Sequence, residues 1–187
     1  MRRAAILFLA WIIAIGAQPR ERISWLDAPP KQWNKAGGNI PRARNPDKFY
    51  LEMCKAEIEK PKTPEESAVV GRGWMLFGSS VVRGITVVSG TESFDGMCRP
   101  DLYQDFVFVK GMFAGTLSPG AMNSRGDGSE VAFTFPAPDK IQSEFHRYTE
   151  KDPRCCPSRI SEATYEIQDV LGKPVVALVA VRTRPAN

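Results

Sequence analysis

Four cysteines and one histidine are the residues of this chain with the most distinctive chemistry. Cys54 and Cys98 are isolated, whereas Cys155 and Cys156 are adjacent. The sequence has neither a C-x-x-C pair nor a cluster of cysteine with histidine, which argues against a zinc site. Cysteines in such numbers are typically paired in exported proteins. We therefore expect two disulfides and no metal ion or other cofactor.

The adjacent cysteines limit how the disulfides can pair. The Cα atoms of neighbouring residues in a trans peptide are about 3.8 Å apart, below the usual range of about 4.4–6.8 Å for a disulfide. Pro157 favours an extended Cys156, and successive side chains of an extended chain point in opposite directions. We therefore predict that one of the adjacent cysteines binds Cys98 and the other binds Cys54, with either assignment open.

His146 is the only side chain that would serve as the base of a hydrolytic triad. Neither Ser118 nor Ser143 has the spacing of a G-x-S-x-G nucleophile elbow. In the strand predicted around it, His146 faces solvent or a shallow groove. We expect no catalytic site, and a hydrolase that uses His146 stays open as the enzymatic alternative.

The loop over residues 123–128 contains Arg125-Gly126-Asp127, a tripeptide that integrins recognise, but its neighbours are typical of an ordinary surface turn. The loop also matches a calcium loop incompletely, since Arg125 and Thr134 stand where oxygen ligands are needed. The sequence has no P-loop or G-x-G-x-x-G motif, so nothing supports nucleotide binding.

Polar and aromatic residues recur near the predicted turns and strand ends. Many such residues tie turns together by hydrogen bonds, but loops carried by a rigid scaffold also form binding surfaces. The candidate binding surface consists of Arg99, Tyr103, Asp105, Arg125, Asp127, His146, Arg147 and Tyr148.

Two short helices are predicted ahead of the strands that carry these residues. Apolar residues at near-helical spacing indicate a helix over 47–59. Thr63, followed by Pro64 and Glu66, has the spacing of a capping box and predicts a second helix that ends near Val70.

After Gly71 the apolar pattern has period two and is broken by Gly, Pro, Asp and Asn. The predicted strands are 82–89, 103–110, 112–117, 130–135, 141–149, 160–168 and 175–181. The spacing predicts an α+β fold, in which one or two short N-terminal helices precede a mainly antiparallel β-sheet of hairpins stapled by disulfides. The strands over 103–110 and 175–181 should be central and buried on both faces.

The N-terminus has the pattern of a secretory signal peptide over residues 1–17, with two arginines, an apolar run and a small-residue exit. The apolar run is shorter than the roughly 20 residues of a spanning helix, so we expect no stable membrane span after cleavage. The chain is therefore expected to be exported, to a periplasmic or extracellular location.

A proline-rich extended arm is predicted over residues 18–46, followed by a single α+β domain over residues 47–187. Trp25 and Trp33 interrupt the polar arm and should dock onto that domain. The formal charge of +4 falls to +2 without the two arginines of the signal peptide. No basic block or basic helix face occurs, so we expect no nucleic-acid partner.

Five sequence blocks together resemble the LppP/LprE lipoprotein family of bacterial envelope proteins over roughly residues 45–170. These blocks are GWMLFG (73–78), FDGMCRP (94–100), YQDFVFVKGMFAGTLSP (103–119), NSRGDG (123–128) and RYTEKDPRCCPSR (147–159). The resemblance implies an exported or envelope-attached protein and supplies no catalytic residues. Because the first cysteine is Cys54, we expect a member that is not lipidated.

The leading functional hypothesis is a non-enzymatic binding module of the envelope or the secreted fraction. Its partner would be an envelope protein, a polymer or a small ligand. The alternatives are the hydrolase that uses His146 and a purely structural envelope component. A deep pocket with convergent polar groups would favour a small ligand, and a flat apolar patch would favour a protein partner.

Overall fold

The computed structural model describes residues 24–44, 48–153 and 155–186. The predicted signal peptide and the start of the predicted arm lie outside these ranges. Within them, no helix is long and apolar enough to cross a membrane.

Short helical segments precede the strands. They are a 3-10 turn at Trp25–Asp27, helix α1 at Lys48–Met53, a second 3-10 turn at Lys55–Glu57 and helix α2 at Pro64–Val70. The backbone N of Glu66 donates to Oγ1 of Thr63 (3.2 Å), and the backbone N of Thr63 donates to Oε2 of Glu66 (3.1 Å). The predicted capping box is therefore confirmed.

Two four-stranded antiparallel sheets follow in the described ranges, with the strand orders β1-β2-β3-β4 and β5-β6-β7-β8. The strands are β1 Met75–Val82, β2 Ile85–Phe94, β3 Pro100–Val109, β4 Met112–Thr116, β5 Ser129–Ala137, β6 Lys140–Arg147, β7 Arg159–Val170 and β8 Lys173–Pro185. The antiparallel hairpins are confirmed, in two sheets instead of one, and six of the seven predicted strands coincide with observed strands. The prediction over 82–89 was wrong at its start, because Val82 ends β1 and the turn at Arg83-Gly84 precedes β2. β1 was not predicted.

Strand β3 occupies the centre of the first sheet and is buried on both faces, as predicted. On one face, Val107 joins a core that also contains Ile141 and Tyr165 of the second sheet. On the other face, Phe106 and Phe108 pack with residues of α2 and of the segment before β1. Because side chains alternate along a strand, this single sequence run connects the two halves of the core.

The prediction that the strand over 175–181 is central was wrong, since β8 lies at the edge of its sheet. Its residues Val175, Val176, Ala177 and Leu178 are nevertheless buried. The N-terminal arm covers part of its free edge, because the side-chain amide of Asn34 donates to the carbonyl of Val176 (2.9 Å). An apolar run is therefore compatible with an edge strand whose edge another segment covers.

The arm packs into the molecule through its two tryptophans, as predicted. Trp25 and Trp33 contact the core between the sheets, and their ring centroids are 5.5 Å apart. The amide Nδ2 of Asn34 donates both to the carbonyl of Val176 and to that of Thr116 in β4 (2.9 Å). One side chain thus joins the adjacent edges of the two sheets.

The predicted disulfide pairing was wrong. Cys54 binds Cys98, with their Cα atoms 5.2 Å apart, and Cys155 binds Cys156. Cys54, at the end of α1, packs in a small apolar cluster with Met75 and Phe94, and Cys98 packs against the same cluster. Because this packing brings Cys54 and Cys98 together, the adjacent cysteines are left with each other.

Candidate ligand-binding cavity

A cavity of about 880 Å³ opens between the turn that joins β2 to β3 and the loop that joins β4 to β5. Phe77 on β1, the first residues of β5 and Tyr148 after β6 complete its lining. Small-molecule sites in proteins typically have volumes of about 300–1,000 Å³. The cavity therefore has the size of a small-ligand site.

The turn wall of the cavity, residues 95–99, is held by a dense set of hydrogen bonds. Oδ1 of Asp95 accepts from the backbone N of Met97 (2.9 Å) and of Arg99 (3.0 Å). Oδ2 of Asp95 accepts from the guanidinium of Arg99, with distances of 2.7 Å to Nε and 2.6 Å to Nη2. Burial raises the pKa of Asp95, but the bonds from Arg99 and Met97 outweigh it and hold that pKa below its ordinary value. The Cys54–Cys98 disulfide also ties this wall to α1.

The loop wall, residues 123–128, is fastened to the start of β3. Oδ1 of Asp101 accepts from Nδ2 of Asn123 (2.9 Å) and from the backbone N of Ser124 (3.3 Å). The hydroxyl of Ser124 donates to the carbonyl of Pro100 (2.8 Å). The backbone N of Asn123 donates to Asp127 (2.9 Å), which closes the loop upon itself. Both walls are thus organised before any ligand arrives.

Arg125 and Tyr148 form the rim between these walls. The guanidinium carbon of Arg125 lies 4.8 Å from the ring centroid of Tyr148, a cation–π contact. Nη2 of Arg125 also donates to the carbonyl of Asp152 (2.7 Å). The carboxylate of Asp152 in turn accepts from Ser158 and from the backbone of Thr149, and these bonds lower its pKa to about 2. The guanidinium of Arg125 is therefore held by Tyr148 on one side and by Asp152 on the other.

Tyr103 and Glu130 form the floor of the cavity. The buried phenol of Tyr103 donates to the carbonyl of Gly128 (2.6 Å) and accepts from the backbone N of Glu130 (2.9 Å). Burial raises the pKa of the Tyr103 phenol well above its ordinary value, so the group is a neutral hydrogen-bonding partner at neutral pH. This phenol joins β3 of the first sheet to β5 of the second.

Beneath the floor, Asp105 of β3 and Glu130 of β5 form a pair of buried carboxyl groups. The hydroxyl of Ser89 donates to Asp105 (2.6 Å), whereas Oε1 of Glu130 meets no donor among the described residues. Burial raises the pKa of both groups, and the charge of Asp105 raises that of Glu130 further. Since two adjacent buried carboxylates repel each other, each group makes the loss of a proton from the other less favourable.

Four of the eight residues of the predicted binding surface line the cavity, namely Arg99, Tyr103, Arg125 and Tyr148. The other four do not line it. Asp105 lies beneath the floor and Asp127 closes its own loop. His146 is half-buried, 3.9 Å from Glu144, and Arg147 is buried in an ion pair with Asp27 (2.7 Å).

Sequence reasoning missed several lining residues, above all Phe77, Met97 and Glu130. Phe77 lies on the strand that was not predicted. Met97 is 72% exposed, and a single apolar residue in a turn carries no signal of where it points. The alternation of β5 gave no sign that Glu130 would meet Asp105 of the other sheet.

Two other features bear on what the molecule can bind. A second groove of about 370 Å³ runs beside α1, along residues such as Leu51, Ile58 and Trp74. Among the described residues, no group of three or more His, Cys, Asp or Glu side chains is arranged to hold a metal ion.

Part of the chain matches a known protein family. Residues 84–170 match the family model of LppP/LprE lipoproteins, which confirms the resemblance expected from the sequence. The matched range runs from β2 to β7 and includes most of the lining of the cavity. Neither a curated protein nor a solved structure matches the chain.

Proposed function

We propose that the chain is an exported protein, periplasmic or extracellular, that binds a small ligand without chemical turnover. Its match to the LppP/LprE lipoprotein family over residues 84–170 supports the first part of this proposal. The family match and the Cys54–Cys98 disulfide suggest an envelope or exported protein. The observation that carries the binding proposal is the cavity of about 880 Å³, which is lined by both apolar and polar side chains.

The walls support this proposal because they are ordered independently of a ligand. One wall is fixed by Asp95 and the disulfide, and the other by Asp101 and Asn123. Binding to a preorganised site avoids the entropic cost of ordering loops, which otherwise weakens affinity. The apolar contribution comes from Phe77, Met97 and the ring of Tyr148.

The enzymatic alternative has less support. Its base would be His146, which lies 3.9 Å from Glu144. A general base must reach the proton that it abstracts, and His146 is not among the residues that line the cavity.

Glycine substitutions offer a direct test. Gly96 lines the cavity, and a Cβ built there meets no atom within 4 Å, so Gly96→Trp should place an indole at the cavity mouth. Gly120 is equally open but lies outside the cavity, which makes Gly120→Trp the matched control. The probe is N-phenyl-1-naphthylamine, an uncharged aromatic dye that becomes fluorescent when it leaves water.

We expect the wild-type protein and Gly120→Trp to bind the dye with affinities within about twofold of each other, and Gly96→Trp to bind it at least about tenfold more weakly. No dye binding, or equal binding by all three proteins, would contradict a ligand cavity at this place. That result would favour the purely structural envelope role.

A further inference from the structure

The charges around the cavity are not equally available to a ligand. Both oxygens of Asp95 are occupied by Arg99 and the turn backbone. Oδ1 of Asp101 is occupied by Asn123 and Ser124. The acidic side chains of the two walls therefore serve to fix the walls.

Glu130 holds its proton more strongly than an exposed glutamate does. Its carboxyl is buried next to Asp105, and burial together with the charge of Asp105 raises its pKa well above the ordinary value. Its Oε1 is buried and meets no hydrogen-bond donor among the described residues. Glu130 therefore presents less negative charge to the cavity than an exposed glutamate would.

Arg125 is the cation of the lining that remains available. Arg99 is paired with Asp95, whereas no ion pair in the described ranges involves Arg125. Arg125 is exposed, and of its guanidinium nitrogens only Nη2 makes a hydrogen bond in these ranges. A guanidinium stays charged and can donate two parallel hydrogen bonds to a carboxylate, sulfonate or phosphate.

The position of this guanidinium is set in advance. It lies over the Tyr148 ring, and its Nη2 donates to the backbone carbonyl of Asp152. The carboxylate of Asp152 in turn closes its own turn by accepting from the backbone N of Thr149. An arginine held in this way loses little side-chain entropy when it binds an anion. Phe77 and Met97, which also line the cavity, provide apolar contacts for the rest of the ligand.

We propose that the cavity selects small organic anions, with the anionic group on Arg125 and an apolar or aromatic body against Tyr148, Phe77 and Met97. This inference rests on the proposed function, because it assigns a ligand class to the same cavity. Arg125 is the residue that determines specificity, and Arg99 fixes the wall.

Two dyes with the same ring system but different charge test whether the cavity prefers anions. 8-Anilino-1-naphthalenesulfonate carries a sulfonate on the same ring system as the uncharged N-phenyl-1-naphthylamine. The variants are Arg125→Gln, which removes the charge, and the matched control Arg182→Gln, at an exposed arginine of β8 outside the cavity. Binding of the uncharged dye by each variant reports whether the cavity is intact.

We expect the wild-type protein to bind the sulfonate dye at least about tenfold more tightly than the uncharged dye. Arg125→Gln should abolish this preference while its affinity for the uncharged dye stays within about twofold, and Arg182→Gln should retain the preference. Equal affinity for both dyes, or a preference that survives Arg125→Gln, would overturn the anion proposal and leave the cavity proposal standing. Failure of the uncharged dye to bind the wild-type protein would instead overturn the proposed function.

A further arm separates a free organic anion from a lipid headgroup. In sedimentation with vesicles of phosphatidylglycerol or of phosphatidylcholine, we expect the wild-type protein to bind neither. Binding to the anionic vesicles that Arg125→Gln abolishes and Arg182→Gln retains would overturn the assignment to a free small molecule.

Discussion

The Cys54–Cys98 disulfide should contribute far more to stability than the Cys155–Cys156 disulfide. The two cysteines of the first bond are 44 residues apart. In the chain-entropy model, closing a loop of this length stabilises the folded state by about 4 kcal/mol, whereas a bond between neighbours closes almost no loop. For a chain of this size, about 4 kcal/mol corresponds to a decrease of roughly 8–16 °C in Tm.

The test compares two double variants, Cys54→Ala/Cys98→Ala and the matched control Cys155→Ala/Cys156→Ala. Urea denaturation followed by circular dichroism gives the free energy of unfolding of each. We expect a loss of about 4 kcal/mol in the first variant and less than about 1 kcal/mol in the second. Similar losses in both, or a larger loss in the second, would refute the pairing and the reasoning from loop length.

Three further predictions concern buried polar groups. The pKa values of Asp105 and Glu130 are raised in the folded protein. The free energy of unfolding is therefore highest below the ordinary pKa values of these groups and falls as the pH rises from there through the folded-state values. Glu130→Gln should flatten the resulting decline in urea midpoint from pH 5 to 9. Asp27→Ala leaves the buried Arg147 without its carboxylate and should lower the free energy of unfolding by about 3 kcal/mol in the same assay. Asn34→Ala removes the bonds between the sheet edges and should expose the amide of Thr116 to faster hydrogen exchange, which mass spectrometry measures.

The predicted strands have either alternating apolar residues or, over 175–181, a run that is apolar throughout. In β3, apolar residues occupy both faces of the strand, and the two faces meet two different cores. In β1 the register shifts between Leu76 and Gly78, and the run Gly-Ser-Ser over 78–80 follows. The bulge together with this polar run interrupts the apolar pattern, so β1 was not predicted.

The sequence predicted correctly that all four cysteines form disulfides, but it did not predict which cysteines pair. The pairing depends on tertiary contacts. Packing of α1 against the end of β2 places Cys54 beside Cys98. Cys98 also has a positive φ of 57°, a conformation that residues other than glycine seldom adopt. Local geometry argued against a bond between neighbours but contained no information on these long-range contacts.

The polar and aromatic residues of the cavity were partly predicted from the sequence, whereas Met97 in a turn and Glu130 in β5 were missed. Arg125 and Tyr148 stand in turn-rich segments, where binding residues concentrate. Glu130 meets Asp105 only because the two sheets pack face to face, and no local pattern encodes that juxtaposition.

The central claim is that the cavity between residues 95–101 and 123–130 is the binding site. The most direct test is an amide chemical-shift map of the ¹⁵N-labelled protein during titration with 8-anilino-1-naphthalenesulfonate. We predict saturable shifts at the amides of Met97, Ser124, Arg125 and Tyr148, with the groove beside α1 unchanged. Shifts confined to that groove, at Leu51, Ile58 and Trp74, would contradict the account.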